Sequence, residues 1–247
     1  MAAEDNGVKQ IRRKEIKTML EMMDYEVVDM IKFKKRGRHF SEASKCATTM
    51  TAKIDVTGLV DYSERTGTEF YINFLYLLTR VMNSRADYRM GYLPDSDELV
   101  CYDQINPTQY VYREDTETFV PVYSTYYETY ELFYSEALND LRLAGDRDSA
   151  DDEGEHPNWF DASYDSVDPD PHKGFAPSVK WGEYRKEGGR YMMPVSVSLN
   201  SAIADGYVVA RVFRLLRDEI CDFNGITDAS PEVSGGWMGF SNENAAS

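Results

Sequence analysis

Apolar and polar positions alternate most regularly over Arg190–Asn200, where Val195, Val197 and Leu199 share one face and Ser196 and Ser198 the other, and this period of two predicts a strand. The period changes at once beyond it. Tyr207, Val208, Ala210, Val212, Phe213, Leu215, Leu216 and Ile220 predict a helix apolar on most sides and therefore buried, with Asp205 and Gly206 at its N-cap. Upstream, the β-branched run over residues 48–56 predicts a strand, and Phe70, Phe74, Leu75, Leu78 and Met82 predict a helix over 69–82. Three strands are expected at Glu98–Tyr102, 108–113 and Thr118–Tyr123, as antiparallel neighbours joined by short pieces such as Gln104-Ile105-Asn106-Pro107, and a helix over 128–143. No repeat or linker separates strands from helices between residues 48 and 220, so one α/β domain with a mostly antiparallel or mixed sheet is expected.

Both ends and one interior stretch read differently. Val8, Ile11, Ile16, Met19, Leu20 and Met23 fall on one half of a helical wheel, which predicts an N-terminal helical extension over 1–24. Residues 146–155 carry six acids against one Arg and predict a solvated loop. The tail 224–247 is rich in Gly, Ser and Asn, with isolated anchors at Trp237 and Phe240, and is expected to be flexible.

Charge narrows the partners. With 27 basic and 43 acidic residues the chain carries a formal −16, which excludes a polyanion such as nucleic acid and disfavours an anionic membrane surface. No apolar run approaches the roughly 18 residues that span a bilayer, and the first residues lack the basic start and apolar middle of a signal peptide, so a cytoplasmic protein is expected. Cys46, Cys101 and Cys221 are too scattered for a disulfide framework or zinc site, and His39, His156 and His172 have no ligand spacing, so no metal is implied.

The stretch from Val197 through Ser201, Asp205-Gly206 and on to Phe213 is similar to a motif in which a strand ends in His-X-X-X-Asp-Gly and a helix follows. Arg36-Gly37-Arg38-His39-Phe40 resembles an early Arg-X-X-His-Phe, residues 50–55 a following strand with Lys-Ile-Asp, Arg89-Met90 with Glu98-Leu99-Val100 a hairpin, and Glu117-Thr118-Phe119 a Glu-Thr-Phe. In this order, and with Phe175-Ala176-Pro177 leading without a gap to Asp205-Gly206, these motifs resemble the chloramphenicol acetyltransferase family over residues 25–223. The resemblance implies a two-layer sandwich whose sheet packs on helices, with acetyl-CoA as the acyl donor of any active member and a homotrimer with sites at subunit interfaces.

Carried over by position, the family's general-base His falls on Ser201, which cannot remove a proton from a substrate hydroxyl near neutrality. Asp205 matches the motif's structural aspartate and Arg36 its arginine partner, and Asp205 also reads as a plain helix cap. His39 matches a histidine outside the family's chemistry. Ser163 falls at the oxyanion-binding serine when Pro157 and Phe175 are the fixed points, although Trp159 is not adjacent to Pro157, and it also reads as an ordinary loop serine. Substrate and cofactor pocket positions fall on Cys46, on Lys180 where the family has a threonine, and on Glu183-Tyr184 where it has Lys-Tyr; Glu183 would repel a phosphorylated cofactor. Two functions follow from this pattern. One is a chloramphenicol acetyltransferase-like protein that has lost acetyl transfer and binds a small-molecule ligand or protein partner as a homo-oligomer; the other is an active O-acetyltransferase that uses a different base.

Overall fold

The computed structural model describes residues 24–29, 46–93, 96, 98–114, 117–146, 158–164 and 175–223. The predicted helix over 8–23, the acidic stretch past residue 146, the tail from 224, and both Arg36 and His39 lie outside them.

Two sheets and four helices make up the described chain. The larger sheet is built from β2 (Ala47–Asp55), β5 (Asn106–Arg113), β6 (Thr118–Tyr123), β7 (Trp159–Tyr164), β8 (Ser178–Trp181), β9 (Arg185–Glu187) and β10 (Arg190–Asn200). Its strand order is β2-β10-β8-β7-β5-β6, with β9 hooked onto the start of β10. The β5–β7 and β7–β8 pairs are parallel and the others antiparallel, a mixed sheet as expected. A smaller antiparallel sheet orders β1 (Tyr25–Val27), β4 (Glu98–Tyr102) and β3 (Met90–Leu93).

That second sheet corrects one expectation. β4 does not neighbour β5, because the piece between them carries the chain from one sheet to the other and is tied down on the way. Ile105 N–H donates to Asn83 Oδ1 at 2.9 Å and Asn83 Nδ2 donates back to the Ile105 carbonyl at 2.8 Å. Pro107 has no N–H and cannot extend a ladder on that side.

The helices are α1 (Thr57–Thr66), α2 (Phe70–Asn83), α3 (Tyr130–Asp146) and α4 (Gly206–Asp222). The sheet's apolar face, carrying Ile54, Met193, Val195, Val197, Leu199, Val179, Trp181, Phe160 and Ala162, joins Leu59, Phe74, Leu78, Phe133, Val209, Val212 and Leu216 of the helices in one buried core. The arrangement is the expected sandwich of one sheet layer on one helix layer. α4 is more one-sided than its sequence implies: Val208, Val209, Val212, Phe213, Leu216 and Ile220 are buried, whereas Tyr207 is 66% exposed and Ala210 faces solvent. A helix lying on a single sheet buries one stripe only, whatever its other faces carry.

Candidate functional site

Strand alternation decides what the uncovered face of the large sheet presents. Side chains opposite the core positions are Thr49 and Thr51 on β2, Ser196 and Ser198 on β10, Ser178 and Lys180 on β8, Asp161 and Ser163 on β7, and Thr108 on β5. Register assembles them into two rows. Thr49, Ser198, Ser178, Asp161 and Thr108 form one; Thr51, Ser196, Lys180 and Ser163 form the other. Hydroxyls pair within the rows, Thr49 with Ser198 at 2.8 Å and Thr51 with Ser196 at 3.0 Å. These rows are polar, whereas toward β6 the same face carries the aromatic pairs Tyr123–Trp159 and Tyr112–Phe119.

Ser163 is part of β7 and not a loop serine. It is 1% exposed, and its Oγ has no hydrogen-bond partner. Lys180 stands beside it in parallel register, so two positions predicted separately are neighbours. Asp161, two residues earlier and half-buried, accepts from Ser178 Oγ at 2.8 Å through Oδ2, while its buried Oδ1 is unpartnered. Burial pushes the Asp161 carboxyl above the ordinary carboxylate range, against the pull of Ser178, Tyr110 and the Lys180 charge. The Tyr110 phenol beside it is pushed up in turn, mainly by burial. The sequence reading passed over Asp161. Its signal was the period of two in Trp159-Phe160-Asp161-Ala162-Ser163, which sets an acid on the same side as the serine.

At the far end of β10 the chain turns sharply. Asn200 Oδ1 accepts from Ala202 N–H at 2.9 Å, and the Asn200 carbonyl accepts from Ile203 and Ala204 N–H at 3.2 and 3.0 Å. The turn presents Ser201, partly buried, whose N–H donates to the Cys46 carbonyl at 2.8 Å and whose Oγ lies 2.9 Å from Thr48 Oγ1. Thr48 Oγ1 also donates to the Ala204 carbonyl at 3.2 Å. Either hydroxyl can be the donor of the Thr48–Ser201 pair. Ser201 is held in the turn through its N–H and its hydroxyl, and Cys46, exposed, contributes its carbonyl.

Asp205 is the cap of α4: its Oδ1 accepts from Tyr207 N–H at 3.0 Å and Val208 N–H at 3.1 Å. Tyr184 is partly buried and packs its ring on Phe70 and Tyr191, at 4.8 and 5.4 Å between centroids. Glu183 is exposed and lies 3.8 Å from Arg185, so a cation stands near the acid that would meet a phosphorylated cofactor. Among the described residues no group of three or more His, Cys, Asp or Glu could hold a metal ion, and no helix is long and apolar enough to cross a membrane.

The predicted residues therefore fall into two groups, Ser201 with Cys46 and Asp205, and Ser163 with Lys180. Five residues along β10 and two strands across the sheet separate Ser201 from Ser163, which ideal strand geometry makes about 15 Å by about 10 Å. One chain does not bring them together.

Comparison with known proteins gives the same picture from a different direction. The profile of a family described as chloramphenicol acetyltransferase matches residues 23–217. A chloramphenicol acetyltransferase of Proteus mirabilis is 27% identical over 212 residues, covering 79% of this chain and 94% of that protein. Chloramphenicol acetyltransferase 2 of Escherichia coli is 29% identical over 218 residues, covering 81% and 98%. Among solved structures, a chloramphenicol acetyltransferase superposes with a TM-score of 0.66 at 18% identity, over 80% of this chain and all 100% of that one. The cubic core of a pyruvate dehydrogenase multienzyme complex does so with 0.59 at 15% identity, over 81% and 93%.

Proposed function

The chain belongs to the chloramphenicol acetyltransferase family, and from that premise we propose that it has lost the family's histidine-driven O-acetyl transfer and serves as a ligand-binding or scaffold homo-oligomer. One observation carries this reading: by position the general base falls on Ser201, whose hydroxyl is hydrogen-bonded with Thr48 Oγ1. General-base catalysis contributes roughly 100- to 10,000-fold, and a neutral serine hydroxyl is far too weak a base to take a proton from a substrate near neutrality. Tyr184, packed between Phe70 and Tyr191, supports the same reading at the position expected beside acetyl-CoA.

The assembly is a homotrimer whose sites form between copies. In support, Ser201 and Ser163 sit too far apart in one chain to act on one substrate, and a second copy could supply the missing half.

Purified protein given acetyl-CoA and chloramphenicol should release CoA thiol at a rate at least about 100-fold below an active relative. A rate near that of the relative would end this reading. Calorimetric titration with chloramphenicol then distinguishes a retained ligand site, which gives micromolar binding, from a scaffold, which gives none.

A second reading, slow acetyl-CoA-dependent transfer by a different base, is favoured by the unpartnered Asp161 Oδ1 and Ser163 Oγ beside Lys180.

A further inference from the structure

Two side chains that leave β7 on the same side lack the partners that buried polar atoms require. Neither Ser163 Oγ nor Asp161 Oδ1 has a hydrogen-bond partner, and an unmet buried donor or acceptor costs about 1–3 kcal/mol. Alternate positions on a strand stand about 7 Å apart, which leaves room for a reacting group between them. Ser178 Oγ donates to the other carboxylate oxygen of Asp161 at 2.8 Å, and the Tyr110 phenol also hydrogen-bonds the carboxyl. Lys180, in register with Ser163, supplies the cluster's positive charge. An acceptor, a donor and a cation thus converge on the face of the sheet opposite its main apolar core.

We propose that Asp161 Oδ1 is the proton acceptor of a slow acyl transfer to an alcohol hydroxyl, with Ser163 Oγ–H and the Lys180 ammonium facing the oxygen that becomes negative. The proposal rests on the second reading above. Asp161 takes the hydroxyl proton while the alcohol oxygen forms its bond to the thioester carbonyl carbon. Ser163 donates to the carbonyl oxygen as that atom gains the electron pair. When the carbonyl re-forms, the C–S bond breaks, and Asp161 returns its proton to the departing sulfur. Proton and electron pair are both accounted for, and nothing is oxidised.

A carboxylate can fill this role where Ser201 cannot, because a carboxylate is a far stronger base than a neutral hydroxyl, and burial raises the proton affinity of Asp161 further. The groups facing it are Tyr71 of α2, Tyr110 of β5, and Ser178 and Lys180 of β8. Both phenols are pushed up by burial and stay neutral, so Lys180 is the one charge in this set.

The test uses the full chain and measures thiol release from acetyl-CoA, with chloramphenicol as acceptor and separately with water alone. Asp161→Asn keeps an acceptor for Ser178, and a urea melt checks that it folds. Asp161→Asn should lower kcat about 100-fold and remove the acid limb of the pH–rate profile, and Ser163→Ala should lower kcat by at least tenfold. A readout that needs no turnover accompanies this: the Asp161 carboxyl carbon, followed by NMR, should titrate above the ordinary carboxylate range and shift when chloramphenicol is added. Thiol release no faster than the uncatalysed reaction with both acceptors, a folded Asp161→Asn as fast as the parent, or an ordinary titration would each overturn the proposal while leaving the reading of Ser201 intact. A parent rate near that of an active relative, undiminished in Asp161→Asn, would overturn both.

Discussion

Ser201, Asp161 and Asp205 show how one residue type acquires different work from its surroundings. Ser201, proposed above to stand where the family keeps a base, is bound into the turn by Cys46 and Thr48, so Ser201→His by itself should not restore the family rate. Other pocket positions carried over from the family also differ, with Lys180 in place of a threonine and Glu183 in place of a lysine; thiol release by Ser201→His at the full rate of an active relative would contradict this. The two aspartates differ in the same way. Asp205 is exposed and caps α4 with two backbone N–H groups, so Asp205→Ala should lower stability by about 0.5–2 kcal/mol in urea melts. Asp161 is pushed above the ordinary range by burial, so the folded state holds its proton more tightly than the unfolded chain. The stability contribution of neutral Asp161 is then complete below the unfolded carboxylate pKa and is lost as pH rises through the raised folded value. Asp161→Asn should accordingly match the parent at acid pH and exceed it at neutral pH, and a pair of urea midpoints at the two pH values checks the sign.

At the scale of elements, the two sheets depend on different kinds of fit. The β3–β4 hairpin depends on Gly91, where a Cβ would stand 2.5 Å from Tyr102 Cε2. The Tyr102 ring is 2% exposed, so Gly91→Ala should destabilise the protein by about 1–3 kcal/mol, a loss readable as a lowered Tm. In the large sheet the decisive element is β7. It joins the β5–β6 hairpin to β8 and β10 through two parallel ladders, and it thereby sets Asp161 and Ser163 in line with Ser178 and Lys180. α1 is the element that the periodic pattern concealed. Gly58 and two threonines dilute its apolar spacing, yet Asp55 Oδ1 accepts from Thr57 N–H and Oγ–H, and Gly67 closes the helix at a φ of 70° that glycine adopts without strain.

At the scale of the whole molecule, the proposed homotrimer has a direct test. Light scattering should give about three times the 28.3 kDa chain mass, and a particle of 28.3 kDa would refute the trimer. Charge bears on the same question. A formal −16 opposes close approach of copies, so the trimer should gain stability with added salt, as sedimentation at low and high ionic strength would show.

How much of this was legible beforehand varies with the range of the interaction involved. The β10–α4 unit, the cap at Asp205 and the loss of the base at Ser201 could all be read from the sequence, because period, capping chemistry and side-chain identity are local properties. The mixed sandwich followed from the order of such units together with the family motifs. Pairing is not local. That β4 belongs to a second sheet, that α4 exposes Tyr207, and that Ser163 stands beside Lys180 and on the same side of β7 as Asp161 depend on which strand lies beside which. The sequence by itself determined the fold and the absence of a histidine at 201; only the tertiary structure decided which polar side chains became neighbours without partners, because register between strands distant in sequence is set by burial of the opposite, apolar face.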